Sequence, residues 1–330
     1  MRVLVVKLSS LGDVIHTLPA LEDAAVALPG ISFDWVVEEA FAEIPAWHRA
    51  VDRVIPVALR RWRKHPVRDF TGPEWRDARA ALRQRRYDAV IDAQGLLKSA
   101  LIARLVAAPR YGMDRASARE RLAALAYDHP IGVPRDMHAV ERTRTLFASA
   151  LDYPLPRGPG SYGLGGDVAP VTQLPRGLLF FHGTARAEKL WPECRWVALA
   201  ALAEAAGYRV WLPWGNEEEH QRARRIARDC DNAEVMPSLT LRELAGMLLG
   251  AAGAVAVDTG LGHLAAALSV PTVSLYGPTS TRLIGTYGLN QVHLQSPLAG
   301  GDITDPLTLM QAITPPAAWQ SWQAALAGAA

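Results

Sequence analysis

The sequence predicts an α/β protein made of two similar domains with parallel sheets. Three observations lead there. Short apolar runs alternate with stretches of helical spacing along the whole chain, the signature of parallel strands whose crossover helices cover both faces. Residues 152–176, containing YPLPRGPGSYGLGGDVAP, are dense in Pro and Gly and interrupt that alternation near the middle. A chain of 330 residues, 50% of them apolar, also suits about two domains with separate cores.

In the first half, residues 2–8 (RVLVVKL), 33–37 (FDWVV) and 89–92 (AVID) read as buried strands. Residues 14–28, 74–84 and 97–106 have helical spacing. The second half repeats the habit, with strands at 178–181, 209–212, 234–236, 254–257 and 272–276. Its helices fit 193–206, 217–228, 241–250 and 260–268. Pro192 suits a first helical turn, where its missing N–H would have no partner anyway. The terminal PPAAWQSWQAALAGA reads as a closing helix. The expected organisation is a first domain at 1–155, a linker at 156–176, a second domain at 177–315 and the closing helix at 316–330. Ligands of open parallel sheets bind beyond the carboxyl ends of the strands, so functional residues are expected there, in a cleft between the domains.

Composition excludes several classes. Two cysteines, Cys194 and Cys230, make no disulfide framework and suit a reducing compartment. The apolar run after Arg2 is broken by Lys7 and Ser9-Ser10, unlike a secretory signal. No stretch approaches the ~18 apolar residues of a membrane span, so a cytoplasmic protein is expected. The net charge of +2 hides an asymmetry: residues 1–150 carry 23 Lys/Arg against 18 Asp/Glu, the remainder 12 against 15. A basic first half points to an anionic partner such as nucleic acid, a phosphorylated lipid or a charged membrane surface.

The loop after the first strand, SSLGD, has one glycine where a dinucleotide fingerprint needs three. Asp13 has two readings. Ser10-x-x-Asp13 fits a capping box; alternatively, Asp13 is a base at a strand's carboxyl end, kept ionised by a helix start. Glu38-Glu39 follow the second strand and read as a solvated strand end. Arg60-Arg61-Trp62-Arg63-Lys64 is either a solvated basic loop or a clamp for phosphates and carboxylates, with Trp62, Trp47 and Trp75 suited to an interface. Lys98, Arg119, Arg121, Arg142 and Arg144 add further basic points.

The second half carries sharper signals. FFHGTARAEKLWP places His182, Gly183, Thr184 and Lys189 between a strand and a helix, where amides, a hydroxyl and an ammonium suit a diphosphate. DTGLGHLAAAL puts Asp258, Thr259, Gly260, Leu261, Gly262 and His263 at another strand-to-helix turn. His263 on an otherwise apolar helix also reads as a core histidine. The only D-x-D, Asp229-Cys230-Asp231, falls near a helix end, and no Cys/His cluster has zinc spacing, so no metal is expected.

The segments MRVLVVKLSSLGDVIHTLPAL, FDWVVEEAF, RRWRK, YDAVIDAQGLLKSA, HAVERTR, KLWP, LPWG and DTGLGHLAAAL…YGPT occur in the order of a known family. Together they resemble glycosyltransferase family 9, the lipopolysaccharide heptosyltransferases, over residues 1 to about 290. That resemblance implies a GT-B fold, two Rossmann-like domains facing across a cleft. It implies inverting, metal-independent transfer of L-glycero-D-manno-heptose from ADP-heptose to the first Kdo of Kdo2-lipid A, with no cofactor. A family member adding a later core heptose and a nucleotide-sugar epimerase of the same architecture are the alternatives. Carried onto matching positions, the resemblance makes Asp13 the catalytic base. Thr184 and Lys189 hold the diphosphate with the turn Thr259-Gly260-Leu261 and His263; Asp258 meets the heptose, Glu219 the ribose and Leu239 the adenine. Arg60, Arg61, Arg63, Lys64, Lys98, Arg119 and Arg142 become acceptor-binding residues. The implied partners are ADP-heptose, Kdo2-lipid A and, peripherally, the cytoplasmic face of the inner membrane, with no nucleic acid. Two positions depart from the family's habit: Ala185 follows Thr184 where a second hydroxyl is usual, and Leu239 stands for a methionine.

Overall fold

The computed structural model describes residues 1–69, 71–164, 168–171 and 175–328. The chain divides into two compact units, Met1–Gly165 and Gly166–Ala330. The first holds β1 (Arg2–Val6), β2 (Ser32–Glu38), β3 (Val51–Val57), β4 (Ala89–Asp92), β5 (Arg110–Met113) and β6 (His129–Ile131). These form one parallel sheet in the order β3-β2-β1-β4-β5-β6. The second holds β7 (Gly177–Phe181), β8 (Arg209–Leu212), β9 (Ala233–Val235), β10 (Gly253–Val257), β11 (Thr272–Tyr276) and β12 (Gln291–Gln295), ordered β12-β11-β10-β7-β8-β9. Both are the same doubly wound arrangement. The chain builds outward from its first strand, then returns to place the fourth on that strand's other side. Crossovers on the two sides diverge at that reversal and leave a crevice beyond the strand ends. The reversal lies between β1 and β4 in one unit and between β7 and β10 in the other.

The central strands are those with continuous apolar runs, as burial on both faces requires. Val3–Val6 and Leu178–Phe180 are fully buried. The strands missing from the sequence reading are β3, β5, β6 and β12, flanking strands that are partly exposed and carry residues such as Asp52, Arg53, Pro56 and His293. Pro56 is tolerated because β3 is an edge.

Three helix expectations need correction. The single helix expected at 14–28 is two, Leu11–Ile15 and Leu18–Ala27. Pro19 in the first turn of the second has no N–H to continue the earlier hydrogen-bond ladder. Pro192 sits at the N-cap, one residue before the helix Glu193–Ala205 begins. The segment HAVERTR, read only as a motif, opens the helix Ala139–Leu151. At the far end, the helix Pro315–Ala327 buries Trp322 against the second sheet, where Gly253 leaves room for its indole.

The boundary between units falls inside the expected linker, 156–176. The segment before it packs on the first unit, with Tyr153 and Tyr162 buried. Arg144 organises this packing. It is 1% exposed, donates from Nε to Asp23 at 2.6 Å and from Nη1 to Glu141 at 2.9 Å, and also donates to the carbonyls of Pro156 and Gly158. Grouping it with the outward-facing basic residues was therefore wrong: Asp23 supplies a partner that lets the guanidinium enter the core. Arg144→Met leaves the buried Asp23 without its counter-charge and lowers stability by about 3–5 kcal/mol, measurable as a lower urea midpoint.

Candidate active site

In the second unit, the loops following β7 and β10 meet at the reversal. Thr184 donates its hydroxyl to the carbonyl of Asp258 at 3.0 Å, tying one loop to the other. Lys189, in the single helical turn Ala187–Lys189, places Nζ 2.6 Å from Asp258 Oδ2. Both side chains are mostly buried, so this pair holds its geometry far better than a surface pair. Thr259 is the N-cap of the helix Gly260–Ala267, and its side chain makes no capping bond. Amides in the first turn of a helix have no partner within it, and here those of Gly260 and Leu261 lie one and two residues from that cap. An ammonium, a hydroxyl and helix-start amides thus converge at one reversal, the composition of an anion site.

Glu219 belongs to the same unit's next loop. It lies in the first turn of the helix Glu217–Arg228, receives the Gly215 amide at 2.8 Å and packs on Gly183, where a Cβ would come within 2.5 Å of its carboxyl carbon. A side chain at 183 would have to displace the Glu219 carboxylate. Leu239 is half-buried in the turn before the helix Leu241–Gly250. His263 is 6% exposed, within the buried part of its helix.

In the first unit, Asp13 closes the capping box its spacing predicts and has two cations beside it. Its Oδ2 accepts from the Ser10 amide at 2.9 Å, closing the capping box on the helix Leu11–Ile15. Its Oδ1 lies 3.8 Å from Lys7 Nζ, and Arg119 Nη1 approaches Oδ2 at 3.7 Å. Lys7 is 7% exposed and donates to the Ala93 carbonyl at 2.9 Å. Burial pushes its ammonium below the usual value and Asp13 pulls it back up. Gln94, in the loop after β4, fixes the loop after β1 by accepting from the amides of Leu8 and Ser9 at 3.0 and 3.1 Å. Asp92 at the end of β4 is wholly buried, which raises its pKa against the hydroxyl donated by Tyr127. The sequence reading missed Lys7, which follows the same strand as Asp13, and Asp92 and Gln94, whose nearness to that loop needs the strand order.

The basic residues divide. Arg60 stands over the Phe41 ring, and its amide donates to Glu38 at 3.2 Å. Glu38 is 2% exposed, correcting the expectation of a solvated strand end; burial raises its pKa, opposed by Arg60 and Lys98. Lys98 is lowered in turn by burial, partly offset by Glu38. Arg61 bridges Glu39 at 3.1 Å and Glu74 at 2.9 Å, whereas Arg63 and Lys64 are exposed. Arg142 donates to the Ser117 carbonyl at 2.7 Å, and burial, then Arg135 and Arg119, depress its pKa. Trp47 and Trp62 are core residues, 1% and 3% exposed, which corrects their reading as interface aromatics. The Trp62 indole reaches Glu74 from inside, so a wet surface is not what it needs. Among the described residues, no cluster of three or more His, Cys, Asp or Glu is placed to hold a metal ion.

Two doubly wound units of this kind make up a GT-B fold. The chain belongs to glycosyltransferase family 9, the heptosyltransferases, whose family model matches residues 75–302. It is 57% identical over 300 residues to lipopolysaccharide heptosyltransferase 1 of Pseudomonas aeruginosa, covering 90% of this chain and 84% of that one. To the protein of that name from Escherichia coli K12 it is 50% identical over 302 residues, covering 90% and 94%. Among solved structures, E. coli heptosyltransferase WaaC with ADP superposes with a TM-score of 0.91 at 46% identity, covering 98% of this chain and 100% of that one. WaaC with ADP-2-deoxy-2-fluoro heptose gives 0.84 at 44% identity, covering 98% and 99%.

His182, directly after β7, is fully buried, and burial, then Arg222, pushes its pKa down to about 4. A histidine held neutral by the fold contributes stability that is complete above its unfolded pKa of about 6.5 and is lost as pH falls toward 4. Between pH 7 and 4.5, His182→Leu removes about 2–3 kcal/mol of the acid-induced loss, read by denaturant unfolding at both pH values.

Proposed function

We propose that this enzyme transfers L-glycero-D-manno-heptose from ADP-heptose to the first Kdo of Kdo2-lipid A, with inversion and without a metal ion, in lipopolysaccharide inner-core assembly. The observation that carries the reading is the Thr184–Asp258–Lys189 arrangement at the reversal between β7 and β10. Its setting is a chain nearly half identical to a heptosyltransferase solved with ADP.

In this reading the donor diphosphate competes with Asp258 for Lys189, and Asp258 turns to the heptose. The helix start at Thr259-Gly260-Leu261, with Thr184 and His263, completes the diphosphate site; Glu219 takes the ribose and Leu239 borders the adenine. An acceptor hydroxyl attacks the anomeric carbon on the face opposite the diphosphate and gives its proton to Asp13. The bond from that carbon to the diphosphate oxygen breaks, and ADP leaves with the electron pair. Once Lys189 has exchanged Asp258 for the diphosphate, its ammonium and the helix-start amides stabilise the negative charge that accumulates on the leaving group. Arg60, Arg61, Arg63, Lys64, Lys98, Arg119 and Arg142 receive the acceptor's carboxylates and phosphates. Arg61 remains in this set because exposed ion pairs are worth only about 0–1 kcal/mol and exchange partners readily. With a lipid acceptor, the working location is the cytoplasmic face of the inner membrane, held peripherally.

Incubation of ADP-heptose and a Kdo2-lipid A analogue with excess EDTA tests the reading directly: the protein forms the heptosylated product. In the same assay Asp13→Asn lowers the rate by about 10²–10⁴. Asparagine still accepts from the Ser10 amide, so the helix cap persists and ADP-heptose binding is unchanged; full turnover in this variant would leave Asp13 with a capping role alone. Lys189→Ala loses a charge-assisted contact and weakens ADP-heptose binding by about 10–100-fold, measured by titration calorimetry, with wild-type affinity removing Lys189 from the diphosphate site.

A further inference from the structure

The helix Leu97–Ala103 and the 3-10 helix Arg121–Ala126 pack together with their small residues inside. Ala100, Ala123 and Ala124 are buried in a cluster with Tyr127, whereas Leu97, Leu101, Leu122 and Leu125 are 45%, 65%, 56% and 65% exposed. Leu97 and Leu101 are four residues apart on an α-helix and Leu122 and Leu125 three apart on a 3-10 helix, so each pair shares a face. The helix Leu97–Ala103 buries Ile102 against the sheet, yet alanines fill the seam between the two helices and all four leucines stay outside. That arrangement marks a surface whose apolar groups are kept for another phase.

Charge identifies that phase. Residues 97–126 contain Lys98, Arg104, Arg110, Arg115, Arg119 and Arg121, but only Asp114 and Glu120 as acids. Both acids are spent on local backbone: Asp114 accepts from the amides of Ala116 and Ser117, and Glu120 from that of Leu97. Arg104, Arg115, Arg119 and Arg121 are exposed. A second copy meeting this surface with its own would bring like charges together, which disfavours a self-complementary dimer. An anionic bilayer accepts the leucines below its headgroups and the guanidiniums at them.

We infer that the leucine-bearing faces of Leu97–Ala103 and Arg121–Ala126 are where the protein enters an anionic lipid bilayer. Arg119, 3.7 Å from Asp13, precedes Leu122 by three residues, so the surface leads away from the proposed base. A lipid whose sugar reaches Asp13 thereby keeps its acyl chains in the membrane. This deepens the proposed function and rests on its lipid acceptor, but the test reads membrane binding without catalysis, so the two fail separately.

The experiment is flotation of the full chain with vesicles of equimolar phosphatidylcholine and phosphatidylglycerol, and with phosphatidylcholine alone. The wild type floats with the anionic vesicles and is released by salt. Leu101→Gln/Leu125→Gln lowers the partition coefficient by at least about tenfold. Both positions are largely exposed, so the variant keeps its thermal unfolding midpoint, ADP affinity and turnover of a deacylated, soluble acceptor. Equal flotation of variant and wild type overturns the inference, as does a wild type that does not float. A concentration-dependent dimer that the double variant abolishes in sedimentation velocity also overturns it, by assigning these leucines to a second copy.

Discussion

The reversal of strand order within each parallel sheet is the constraint on which the rest depends. Strands laid in parallel need crossovers, and crossovers that diverge cannot close over the ends of the strands between which they part. At β1 and β4 that opening exposes Lys7, Asp13, Gln94 and Lys98 to one another's loops; at β7 and β10 it does the same for Thr184, Lys189 and Asp258. A side chain three residues past a strand has little freedom to be elsewhere. The topology therefore fixes which residues meet before any individual contact is considered.

Charge is used in two distinct ways around this frame. Arg144 and Asp23 form a buried pair that joins the segment before the unit boundary to the first unit's helices, a contact with no solvent access to spare. Lys189 and Asp258 are also largely buried, but they join two loops at strand ends rather than a segment to the core. Asp13 combines both uses in one group. One oxygen closes a helix cap and so fixes the side chain's direction, while the other faces a buried ammonium. The capping bond removes much of that side chain's conformational freedom before any partner arrives.

The glycines and small residues follow the same logic. Gly183 lets Glu219 lie against it, and Gly262 packs where a Cβ would stand 3.3 Å from Ala256 and Ser274. These close approaches let separate strand-end loops act as one surface. On the helices Leu97–Ala103 and Arg121–Ala126, alanines perform the packing and leave the leucines outside.

The sequence by itself determined the α/β class, the central strands and the strand-end loops of the candidate site. An apolar run buried on both faces leaves a period-free signal, and Gly, Thr and Asp at its end mark the turn. The flanking strands β3, β5, β6 and β12 were not legible because half-exposed strands need no apolar run. Which basic residues face solvent was equally hidden: Arg144 and Arg63 differ in nothing local, and only Asp23, 121 residues away in the chain, sends one of them into the core. Tertiary structure alone decided that Gln94 holds the loop after β1 and that Lys189 meets Asp258. Those pairings are between strands adjacent in space and distant in sequence, and adjacency is settled by the order of the sheet.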